Sequence, residues 1–157
     1  MNIYCDIFEP TSDANASLEQ LAEKFSGLYG EAWDKDKRAY YSRPFEPNIP
    51  AFARMWLDKT LKLFMAYDRD TGKSVGYLVG MVFRPLPYQA SVFQIEDWYH
   101  GGNLIVGSAL FDYMKQALRF LGCDEIWITD LPGRLPDLVD ATWKQHNTFT
   151  MHRYVKE

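Results

Sequence analysis

The sequence predicts a mixed α/β sheet with helices on both faces. Two observations lead there. Short apolar strands joined by turns fill the middle of the chain, and a strand–helix–strand crossover follows them. At 157 residues the chain suits one domain, residues 1–157, large enough to bury a core without staples.

Taken in order, Ile3 to Phe8 reads as a strand ended by Glu9-Pro10. Thr11, Ser12 and Asp13 offer caps for a helix whose apolar stripe is Leu18, Leu21, Ala22, Phe25 and Leu28, with Gly30 as its stop. Glu31 to Pro50 reads as irregular, and Ala51 to Lys59 as a short helix. Leu61 to Tyr67 and Val75 to Phe83 form a hairpin about the turn 68–73. Ser91 to Tyr99 is a further strand, and His100 to Asn103 a loop. The clearest helix carries Val106, Leu110, Tyr113, Met114, Ala117, Leu118 and Leu121 on one stripe, capped by Gly122. A buried strand (Glu125 to Thr129), a helix (Leu135 to Lys144) and a closing strand (Phe149 to Val155) complete the order. The crossover is expected to be right-handed and parallel.

Charge and composition narrow the function. A net charge of −4 argues against nucleic acid as a partner, which needs clustered Lys and Arg. No apolar run is long enough for a bilayer, and the N-terminus lacks a signal-peptide pattern, so the expectation is a cytoplasmic protein with no membrane partner. Cys5, Cys123 and the three histidines have no zinc-ligand spacing, and no metal is expected.

The informative stretch is Glu96-Asp97-Trp98-Tyr99-His100-Gly101-Gly102-Asn103, running into Leu104-Ile105-Val106-Gly107-Ser108-Ala109-Leu110. A glycine loop between a strand and a helix offers backbone N–H groups and a positive helix end to an anion, so a phosphate-bearing ligand is the natural occupant. The run from Gly102 to Gly107 fits the first part of a P-loop, but Ser108 and Ala109 follow where Lys and Ser or Thr are required.

Ile95-Glu96-Asp97-Trp98-Tyr99 and Val106-Gly107-Ser108-Ala109-Leu110 together resemble the strand, loop end and helix start of the GCN5-related N-acetyltransferases (GNAT). The order of elements resembles that family along nearly the whole chain. Aligned on Gly107, the family's loop arginine falls on Gly102 and its first loop glycine on Ile105. The resemblance implies a GNAT-like fold with acetyl-CoA as cosubstrate, seated on Trp98, Tyr99, His100, Gly101, Gly102, Asn103, Leu104, Ile105, Val106, Gly107 and Ser108. The backbone of Trp98 to His100 would pair with the pantetheine arm. Glu96 is the candidate general base, since burial on an apolar strand raises a carboxyl pKa toward neutrality; Asp97, on the other face, is read as structural. Tyr99, His146 and Tyr154 stand as candidate acids. Tyr40, Tyr41 and Phe45 would line the site of the acceptor amine. The alternative is a catalytically weakened module of the same fold that binds a protein partner, motivated by the altered loop and by a helix (140–144) without the family's tyrosine.

Overall fold

A computed structural model describes residues 2–37, 48–84 and 89–128. The expected helix at 135–144 and the closing strand at 149–155 lie outside them. The elements are β1 (Ile3–Ile7), α1 (Ala14–Leu21), α2 (Gly27–Ala32), α3 (Ile49–Leu57), β2 (Leu61–Asp68), β3 (Ser74–Phe83), β4 (Val92–Tyr99), α4 (Leu104–Phe120) and β5 (Glu125–Ile128). Sheet order follows chain order, β1-β2-β3-β4-β5. The first four strands are antiparallel. β5 runs parallel to β4 after the α4 crossover, as the sequence predicts.

The first helix is longer than its sequence suggests. Asp13 caps it by accepting from the amides of Asn15 (3.0 Å) and Ala16 (3.1 Å). Two π-wound turns, Ala22–Ser26 and Trp33–Lys37, flank α2, so the helical rod runs from Ala14 to Lys37. In the first of these turns the Ser26 hydroxyl donates back to the Ala22 carbonyl, a bond that competes with regular winding. Gly30 is therefore not a stop, and 31–37 is not irregular. A glycine stop needs a left-handed backbone, which Gly30 does not adopt. Burial on either side of it carries the helix on: Ala32 is fully buried, and Tyr29 stacks on Phe25 and packs edge-on against Tyr77.

Each face of the sheet has its own core. On one, Leu21, Phe25, Trp56, Tyr77 and Tyr99 join α1, α2 and α3 to the strands. Trp56 stacks on Phe8 and donates its indole N–H to the Phe8 carbonyl at 2.7 Å, which ties α3 to the end of β1. On the other face, Phe93, Trp98, Val106, Leu110, Met114 and Leu118 bury the stripe of α4. Each fully buried side chain of this size contributes about 1.5–3 kcal/mol. β5 is less enclosed than expected, since its residues alternate and Glu125 and Trp127 are exposed.

Candidate functional site

The site begins with a fault in the β3–β4 ladder. Val79 pairs with Asp97 and Gly80 with Ile95, so Glu96 is an extra residue on β4. Such a bulge bends the strand and re-aims one side chain. Gly80 makes it possible, because a Cβ there would lie 2.3 Å from the Gln94 carbonyl oxygen and 2.5 Å from the Phe93 ring.

Glu96 reaches the surface, yet its pKa is raised, first by the desolvation its neighbours impose and then by the charge of Asp97. Asp97 is anchored as expected of a structural residue. It accepts from the Tyr77 hydroxyl at 2.8 Å and from the Trp98 amide at 2.8 Å. The following two residues alternate across the sheet. Trp98 packs edge-on against Phe111 of α4, and Tyr99 enters the core beneath the first helix.

β5 pairs with β4 only over Val92–Ile95. Among the described residues, no strand pairs with that edge of β4 from Glu96 to Tyr99.

The glycine turn follows at once. Gly101 (φ +61°) and Gly102 (φ +77°) are both left-handed, a conformation that costs other residues about 1–2 kcal/mol. The Asn103 amide donates to the His100 carbonyl at 2.9 Å and closes the turn. Among the described residues, the Nδ1 of His100 is buried with no hydrogen-bond partner.

The Asn103 side chain caps the Ile105 amide at 3.0 Å, so α4 starts at Leu104. Gly107 lies within the helix, its amide bonded to the Asn103 carbonyl at 3.1 Å, and it is buried. The loop proper is thus Gly101-Gly102, while Val106 and Gly107 are packed helix residues. Leu104, Ile105 and Ser108 face outward. Gly76 on β3 lets this helix start sit close to the sheet, since a Cβ there would lie 2.7 Å from Val106 Cγ1 and 2.8 Å from the Tyr99 carbonyl oxygen.

Two residues missed in the sequence complete the site. The Tyr99 hydroxyl donates to Glu31 Oε1 at 3.0 Å, and the same oxygen pairs with the Lys35 ammonium. Lys35, then Tyr99, lower the Glu31 pKa by hydrogen bonding. The signal for this pair was the Glu-to-Lys spacing of four, which places both on one helix face. The Tyr99 pKa is raised, first by burial and then by the bond to Glu31.

The predicted acceptor residues Tyr40, Tyr41 and Phe45, and the candidate acids His146 and Tyr154, lie outside the described residues. Among the described residues, no group of three or more His, Cys, Asp or Glu could hold a metal, and no helix is long and apolar enough to cross a membrane.

No protein-family model matches the chain, and no curated protein is similar to it in sequence. Solved structures are similar in fold. An aminoglycoside acetyltransferase from an uncultured soil metagenomic sample superposes with a TM-score of 0.66 at 17% identity, covering 99% of this chain and all (100%) of that one. The ribosomal-protein-alanine N-acetyltransferase of Brucella melitensis biovar Abortus 2308 gives 0.63 at 15% identity, with 99% and 100% covered. Glucosamine-6-phosphate N-acetyltransferase from Arabidopsis thaliana gives 0.64 at 12% identity, also with 99% and 100% covered. The chain has the acetyltransferase fold that its sequence resembles.

Proposed function

We propose that the chain is an N-acetyltransferase that moves an acetyl group from acetyl-CoA to a primary amine. One observation carries this reading. A carboxyl with raised pKa stands at a strand bulge, three residues before Tyr99 and the glycine turn that opens a helix. A base is thereby set one strand segment from an anion seat. The His100 nitrogen beside that turn, without a partner among the described residues, supports a polar ligand there.

In this reading Glu96, directly or through one water, takes the proton of the acceptor ammonium. The neutral nitrogen attacks the thioester carbonyl carbon and the C–N bond forms; as the C–S bond breaks, the nitrogen gives up its second proton, which balances the proton taken up by the leaving thiolate. Backbone amides near the strand end stabilise the oxygen as it becomes anionic. Trp98, Tyr99 and His100 guide the arm along the β4 edge, and Gly101, Gly102, Asn103 and the first turn of α4 (Leu104 to Ser108) receive the phosphates. The acceptor is a small-molecule, polyamine or protein amine, and the net charge of −4 suits a cationic one.

Calorimetry and thermal denaturation with acetyl-CoA test the reading. At 100 times Kd the ligand should add about 2.7 kcal/mol of stability. No heat and no shift at millimolar ligand overturn it. One observation favours a second reading, a non-catalytic module that binds a protein partner: Gly102 stands where the family's loop carries arginine. That reading is distinguished by acetyl-CoA binding without acetylation of any amine in a broad acceptor panel.

A further inference from the structure

We propose that Lys35, delivered by the first helix and held by Glu31 and Tyr99, is the cation that contacts the phosphates of the cosubstrate at the Gly101–Gly102 turn. The proposal rests on the acetyl-CoA reading above and names a ligand contact that the glycine loop itself does not supply. The loop between β4 and α4 (His100 to Asn103) contains no Lys or Arg. A phosphate seated there would meet backbone amides without a fixed charge from the loop.

The geometry brings a charge from elsewhere in the chain. The Tyr99 hydroxyl lies 3.8 Å from the point where a Cβ on Gly101 would stand, so it borders the turn. That hydroxyl donates to Glu31, and Glu31 binds Lys35. Lys35 is thus three contacts from the turn, although it stands 66 positions before Gly101 in the chain.

The tether is made by the helix itself. The rod passes through Gly30 and reaches the π-wound turn Trp33–Lys37, which carries Lys35. π-turns shift side chains from their regular register and recur at functional sites.

The lysine is available to a ligand. Its side chain is 59% exposed and that of Glu31 is 47% exposed. A pair so exposed is weak and screened. An ammonium has three donors, so it can keep Glu31 and add a phosphate oxygen. Glu31 and Tyr99 both raise the Lys35 pKa, Glu31 more strongly, so the ammonium stays charged at neutral pH.

The test compares the full-length wild type, Lys35→Met and Lys35→Arg by calorimetry, with acetyl-CoA and with S-acetylpantetheine, which has no phosphate. Lys35→Met should weaken acetyl-CoA about tenfold, the value of one charge-assisted contact. It should leave S-acetylpantetheine within about twofold, and flatten the fall of acetyl-CoA affinity with salt. Lys35→Arg should restore acetyl-CoA binding. Circular dichroism and melting of Lys35→Met should match wild type, because the side chain is exposed. Equal loss on both ligands, or no loss on either, overturns the lysine assignment while wild-type binding keeps the acetyl-CoA reading. Failure of the wild type to bind acetyl-CoA overturns both.

Discussion

Glu96→Gln slows acetyl transfer by about 100-fold or more, the range for a lost general base, and leaves acetyl-CoA affinity within about twofold. Glutamine keeps the shape and the hydrogen-bonding reach but cannot take a proton. The sign of the pH dependence follows from the raised pKa. In the proposed role Glu96 works as carboxylate, so wild-type turnover should climb as pH rises through that pKa, at a higher pH than an ordinary glutamate would give. The variant should lose this limb. Stability shifts in the related sense. A carboxyl whose pKa is raised by folding contributes stability below its unfolded pKa, and this is lost as pH rises through the folded value. Removing the charge should therefore favour the variant slightly at neutral pH relative to acid. Rates across pH for both proteins, with cofactor affinity measured alongside, settle the role. Equal turnover would remove Glu96 from the chemistry.

Gly80→Ala should destabilise the protein by about 2–3 kcal/mol, a cost typical of an overpacked interior. The added methyl would meet the Gln94 carbonyl at 2.3 Å and the Phe93 ring at 2.5 Å. A ring can swing, but a ladder carbonyl cannot move without opening the β3–β4 pairing that sets the bulge. Gly27→Ala is the control. Gly27 has φ −63° in a helix, with nothing within 4 Å of the new methyl. It should stabilise by about 0.4–1 kcal/mol. Urea denaturation of both variants measures the contrast. If the Gly80 variant stays within about 0.5 kcal/mol of wild type, the ladder yields more than its contacts imply.

Much of this architecture is legible in residue order. The β2–β3 hairpin, the α4 stripe and the parallel β5 follow from apolar periodicity and turn residues, each of which acts locally. What escapes depends on distant partners. Gly30 reads as a stop because its own preference is for a left-handed backbone, and only packing of Tyr29 and Ala32 against the sheet overrides it. That one misreading also hides Glu31 and Lys35 in a segment taken as irregular. The bulge is invisible for a similar reason, since Glu96 becomes an extra residue only once β3 supplies the register. Asn103 reads as loop, and its capping of Ile105 moves the helix start ahead of Gly107, so the glycine that aligns best with the family loop is a packed helix residue.

The sheet order has a kinetic consequence. β2, β3 and β4 are neighbours both in the chain and in the sheet. Their connections are short, so closing them costs little chain entropy, and low contact order favours early pairing. β1 meets β2 only after a long helical detour, and β5 meets β4 only after the crossover. The meander is thus the natural slow-exchanging unit for amide hydrogens, with Glu96 inside it. The glycine turn and the Glu31–Lys35 face sit at its margin, where opening is cheaper. Proton transfer would then be built on the most persistent part of the molecule, and phosphate capture on the part freest to adjust.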